Sequence, residues 1–254
     1  MAHLDTAKRH FDEDMTRSRA LIDHGNAQQP SALQSDIFRA GWMMAVGASD
    51  AYFSDAYGDL LSRTLRAKDV QRAVVIPDRL NNLRVPVITV LHGTHDGWRW
   101  RMAARELMSQ ENVLALDKIR GLFNQFFEDG NKLLNKDTIG PLILHKDAKV
   151  RIFGVSATDY RRIAVPADQE RTRKEATASM FDRYEVIFQR RHDCIHNCDR
   201  PKYVLQDLTF DQAGKAHQDI SFLIERCHEA LKVEFPKYLE RVGFNAATRQ
   251  RVLQ

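Results

Sequence analysis

The chain has 254 residues, 43% of them hydrophobic and 28% charged, which is ample for a real hydrophobic core and argues against disorder. No window offers the ~20 uninterrupted apolar residues of a membrane span, and the opening "MAHLDTAKRHFDED" is too polar for a secretion signal. Three cysteines make an unpromising disulfide scaffold, and 38 basic against 34 acidic residues is too even a balance to establish nucleic-acid binding by charge. A reduced, cytoplasmic protein with no membrane partner is expected.

In chain order, Leu4, Ala7, Phe11, Met15, Ser18 and Ile22 recur at helical spacing, predicting an amphipathic helix to about His24. Gly25 and Pro30 end it. Ser35 or Asp36 is the expected cap of a longer helix through "IFRAGWMMAVGASDAYFSDAYGDLLSRTL", which has so little polar surface that it belongs at the centre of a bundle. Its Gly41, Gly47, Ala48 and Ala51 invite close approach of another helix. "VVIP" and "VPVITVLHG" are β-branched and read as extended connections. Helical texture resumes at "GWRWRMAARELMSQ" and at "NVLALDKIRGLFNQFF", and "GPLILHKDAKVRIFGVSATDYRRIAVP" is ambiguous, with room for another extended segment. A long helix from about Asp168 follows, closed by the turn at Pro201. The last helix is capped by Thr209 or Asp211 and interrupted at Pro236. The expectation is one mostly helical domain over residues 1–254, with short extended connections.

Chemistry-bearing residues concentrate in "RRHDCIHNCDR", Arg190 to Arg200, which alone supports a metal site, a nuclease centre or the polar end of a helix. His192 and His196 are four apart, as are Cys194 and Cys198. At about 100° per residue the two pairs lie about 200° apart, so one continuous helix cannot gather all four around a zinc ion. Neither a C-x2-C pair nor an H-E-x-x-H run is present, and no metal or cofactor is expected. Metal-free RNA cleavage needs a group to take the ribose 2′-hydroxyl proton, one to protonate the leaving oxygen, and a cation over the phosphorane-like transition state. Imidazole and guanidinium suit those tasks. Arg191 and His196 point about 140° apart on a straight helix, and that spacing is common by chance. They meet only if the helix ends near Ile195 or a second subunit contributes.

"RRHDCIHN", preceded by "MFDRYEVIFQ" and followed by "DLTFDQAGKAHQDISFLIERC", resembles the HEPN superfamily, whose signature is an Arg, four to six residues, then a His, between two long helices. The chain is most similar to RiboL-PSP-type HEPN proteins, in "IFRAGWMMAVGASDAYFSDAY" and "VLALDKIRGLFNQF" as well, over about residues 36–233. The resemblance implies a HEPN-like helical bundle that pairs as a homodimer, bringing two Arg–His motifs to one cleft. It implies a metal-independent endoribonuclease that leaves 2′,3′-cyclic phosphate ends, serving as a toxin or in antiviral phage defence. An antitoxin or another defence-system protein would be its partner. Transferred to this chain, Arg191 stabilises the phosphate and His196 is general acid or base. Arg190, His192 and Asn197 contact substrate RNA, with Arg190 a six-spaced alternative to Arg191. His192 departs from the Asn or Asp most frequent after the Arg. Asp50 corresponds to an acidic position of relatives and either orients a motif side chain or makes polar contacts within the bundle. The alternative is a non-catalytic HEPN module binding protein, nucleotide or RNA.

Other features have two readings each. Between Arg63 and Arg105, nine Lys/Arg stand against three Asp, either a patch for a polyanion or charges paired with acidic helices. Trp98 and Trp100 alternate with Arg99 and Arg101, as in base-stacking surfaces or at an ordinary helix start. His92 and His95 lack a third ligand and read as loop histidines. Cys227 falls on a core face.

Overall fold

The structure, a computed structural model, describes residues 3–82, 84, 98–109, 113–200 and 205–254. The all-α class holds: the described residues form helices and turns and contain no strand. Helix α1 spans Asp5–Asn26 and α2 spans Ala32–Val70. Ser31, not Ser35 or Asp36, caps α2, its side chain accepting from the Gln34 N–H. The first turn is exposed at Ala32 and Leu33, so the apolar periodicity begins after the helix does. At 39 residues α2 is about 58 Å long, and α1, the later helix Trp98–Ser109 and the last long helix all pack on it.

At Gly41 α1 and α2 approach closely. A Cβ there would meet Ile22 at 2.7 Å, and the Ser18 hydroxyl donates to the Gly41 carbonyl at 2.8 Å. Ala48 is buried, but Gly47 would find nothing within 4 Å of an added Cβ and Ala51 is exposed, so of the four small residues only two face a neighbour.

Short helices continue the chain: α3 (Asp78–Asn81), α4 (Trp98–Ser109) and α5 (Leu116–Phe123). "VVIP" forms turn and coil rather than strand. "VPVITVLHG", His92, His95 and Pro201 lie outside the described residues. The ambiguous stretch forms α6 (Ile139–Ile143), α7 (Val150–Phe153) and α8 (Ala157–Arg162) in place of an extended segment. Local signals account for this. Pro141 sits within the first turn of α6, where its missing N–H costs nothing. Gly154, with φ 71°, stops α7, and Ser156 caps α8 by accepting from Asp159.

Helix α9 begins with Pro166 at its first position and runs to Asn197. Helix α10, Phe210–Arg241, starts with a capping box in which Thr209 and Gln212 each bond the other's backbone. Helix α11, Ala246–Leu253, closes the described chain. One hydrophobic cluster takes in residues from Leu4, just ahead of α1, to Val252 on α11. Its centre is aromatic: Phe126 meets Tyr238 edge-on at 5.1 Å, and Tyr57 meets Phe123 at 5.7 Å.

Pro236 does not interrupt α10. A proline leaves the carbonyl four residues back without its helical donor, here that of Lys232. The buried His3 ring hydrogen-bonds the Lys232 backbone and packs 5.8 Å from Phe235. The bond missing from the helix is supplied from the other end of the chain.

Candidate active site

The motif lies on the last turns of α9, which stays helical through Asn197. Cys198 and Asp199 then turn left-handed, with φ 48° and 56°. That backbone costs a non-glycine residue about 1 kcal/mol, and side-chain bonds hold it in place. The Asp199 carboxylate is 1% exposed, accepting from Arg39 Nε at 2.7 Å and Arg190 Nη2 at 2.9 Å. Arg190 also donates to the carbonyls of Gln206 and Asp207 and lies 5.6 Å from the Trp42 ring centroid. The Trp42 indole N–H in turn donates to the Ile187 carbonyl at 3.1 Å. Arg190 thus ties the end of α9 to α2 and to the returning chain, and its side chain is 13% exposed.

Arg191 points elsewhere. It is half-buried and approaches Asp50 on α2. Burial pushes the Asp50 carboxyl above the usual carboxylate range, against the opposing pull of the Val113 backbone N–H and the Arg191 guanidinium. Asp50 Oδ1 accepts no hydrogen bond. The carboxylate therefore has capacity to hold a cationic neighbour in place, the orienting role among its two expected readings.

His192, His196 and Asn197 are exposed. The two imidazole rings stand 4.3 Å apart, as spacing of four on a helix dictates. Because α9 does not break at Ile195, Arg191 and His196 of one chain remain on different flanks of the helix. Ile195, between them, is 48% exposed.

Beside Arg191 and His192 opens a cleft of about 400 Å³, walled by Leu114–Asp117 ahead of and at the start of α5 and by Phe181, Glu185 and Gln189 of α9. The motif did not announce this cleft, yet half of it was readable. Glu185, Gln189, His192 and His196 follow the spacing of one helical stripe, and all four are exposed. Arg120 lies 5.3 Å from the Phe181 ring centroid and pairs with Asp117 at 3.4 Å.

Among the described residues no three His, Cys, Asp or Glu converge as a metal site. Cys194 is half-buried and its thiol is pushed up to about 11, chiefly by burial. Cys198 is exposed, and Cys227 is buried in the core with its thiol pushed up to about 12.

Much of the basic stretch is neutralised internally. Arg63 pairs with Asp59 at 2.9 Å and bonds the Val252 carbonyl, Arg99 pairs with Asp69, and Lys68 donates to the carbonyls of Arg72 and Val74. Arg99 also covers the Trp100 ring, 5.0 Å from its centroid, so that arginine and that tryptophan serve each other. Arg101 and Arg105 are exposed. No described helix is long and apolar enough to cross a membrane. Compared with protein-family models, curated proteins and solved structures, the chain matches none of them.

Proposed function

We propose that the protein is a metal-independent endoribonuclease of the HEPN type, acting as a homodimer on RNA, in phage defence or as a toxin restrained by a partner protein. The observation that carries this reading is the division of labour at the end of α9. Arg190 is consumed by the fold, while Arg191 stands beside Asp50 at a cleft and His196 is open to solvent. A purely structural motif would give no reason to keep a second arginine near a half-buried carboxyl and leave two imidazoles exposed.

One chain does not bring Arg191 and His196 to the same phosphate, because the helix between them is intact. A second copy related by a two-fold axis would do so. The exposed Ile195 and Ala51, and the open space around Gly47, offer small and apolar surface next to the motif for that contact. In the reaction, an imidazole takes the proton of the 2′-hydroxyl as O2′ forms its bond to phosphorus. The P–O5′ bond breaks, and a protonated imidazole gives its proton to O5′. Arg191 balances the charge gathering on the non-bridging oxygens. The products are a 2′,3′-cyclic phosphate and a 5′-hydroxyl.

The test is cleavage of total RNA in excess chelator with analysis of the ends. Wild type should cut and leave cyclic phosphates, while His196→Ala should bind RNA without cutting. Cleavage abolished by chelator and restored by zinc would overturn the mechanism. The unbroken helix also favours a second reading, a non-catalytic HEPN module, and a dimeric but inert wild type across several RNA pools would select it.

A further inference from the structure

The cleft beside the motif has a composition that a phosphate site alone does not explain. At about 400 Å³ it lies at the small end of ligand sites, enough for one base with its ribose rather than for a length of strand. Its polar wall carries Glu185, an exposed carboxylate with no hydrogen bond or ion pair to a described residue. A free carboxylate repels the RNA backbone, so its place in the cleft that Arg191 also lines needs a different counterpart. Resting on the proposed nuclease activity and on this geometry, we infer that the cleft is a nucleobase subsite in which Glu185 reads the Watson–Crick edge of a guanine adjoining the scissile phosphate.

Guanine is the base that fits. Its N1–H and exocyclic N2–H point the same way and match the two oxygens of one carboxylate, a paired, charge-assisted contact. Adenine and cytosine each set a ring acceptor beside a single amine, and uracil sets its one N–H between two carbonyls, so each brings a lone pair against the carboxylate. Unstacked single-stranded bases are read on this edge and are held by stacking on aromatic rings or arginine planes. Phe181 lines the cleft, and Arg120 lies 5.3 Å from its ring centroid. Gln189, one turn beyond Glu185, gives its side-chain N–H to Asp193 at 3.0 Å and so presents its oxygen as a further acceptor. Arg191 and His192 line the same cleft, so a base seated there leaves its phosphate within reach of Arg191. Glu185 is thus a specificity residue, and Arg191 and His196 remain the catalytic ones.

Two measurements on the full chain test this. In the first, cut sites in a random-sequence single-stranded RNA pool are mapped for wild type and Glu185→Gln, which keeps shape but replaces one acceptor by a donor. Wild type should place guanine at one of the two positions flanking the cut at least tenfold above other bases. Glu185→Gln should lower that preference about tenfold, moving cuts to base-indifferent sites. Base-indifferent cutting by wild type, or an unchanged preference in Glu185→Gln, would overturn the subsite and leave the nuclease reading standing. In the second, guanosine and adenosine monophosphates are titrated against both proteins and followed by calorimetry. Guanosine monophosphate should bind wild type at least tenfold more tightly than adenosine monophosphate, and the difference should vanish in Glu185→Gln. That result from a protein that cuts nothing would uphold the subsite and sink the nuclease. Equal binding of the two nucleotides would sink the subsite whatever the RNA assay shows.

Discussion

Arg190 gives its guanidinium to the buried Asp199 and to two carbonyls, whereas Arg191 lines a cleft and acts on the half-buried Asp50 carboxyl only through its charge. Neighbours in sequence, they should respond to substitution in opposite ways. Arg191→Ala should change stability by no more than about 1 kcal/mol while abolishing RNA cleavage. Arg190→Ala should cost roughly 1–3 kcal/mol through the hydrogen bonds lost around a buried charge. Asp199→Ala, which leaves two arginines facing each other without their anion, should cost about 3–5 kcal/mol. Thermal melts beside RNA cleavage would separate the two roles, and a destabilised Arg191→Ala with a normal Arg190→Ala would reverse the assignment. The motif was legible because its residue types are rare together. The resemblance put Arg191 ahead of Arg190, but the reason Arg190 is tied up was not legible, since it depends on Asp199 and on Arg39, the latter far away in sequence on α2.

At the scale of elements, long helices were legible wherever apolar residues recur and a cap stands at the start. Thr209 with Gln212 is the clearest example. Boundaries failed where local chemistry and burial disagree: the first turn of α2 is exposed, so hydrophobicity pointed past Ser31 to later caps. The middle of the chain misled because β-branched residues also serve in short helices whose stops are glycine and whose starts are serine. The walls of the cleft were half hidden, since Leu114–Asp117 lie about 70 residues from the motif and nothing in their spacing says that the two meet. The α1–α2 contact makes its own prediction. Gly41→Ala removes about 1 kcal/mol of glycine's helix penalty but presses a methyl against Ile22, with the Ser18 backbone oxygen close behind at 3.3 Å. Overpacking should win, for a net loss of about 1–2 kcal/mol. A denaturation midpoint at or above wild type would show that α1 shifts to make room.

Across the whole molecule, several histidines are buried neutral, which sets how the fold responds to acid. His228 accepts or donates at Tyr52 from within the core, Nδ1 to hydroxyl 3.1 Å, and burial, with Lys232 and Lys8 nearby, lowers it to about 4. Burial also lowers His3 and His217. The unfolded chain therefore binds protons that the folded one refuses. The stability these rings contribute is complete above their ordinary value near 6.5 and is lost as pH falls below it, for His228 down to about 4. For His228 the loss is on the order of 3 kcal/mol. Unfolding curves between those limits should flatten in His228→Asn, and an unchanged slope would mean that the ring is not what acid attacks. The His3–Lys232 bond has a consequence of another kind. On a ribosome, residue 3 emerges early and must wait until the stretch around Pro236 has been made before it can dock. The closing turns of α10 are thus a late event in the birth of the chain, and a nascent chain halted short of Pro236 would hold Leu4 through Asp59 yet leave His3 without its partner.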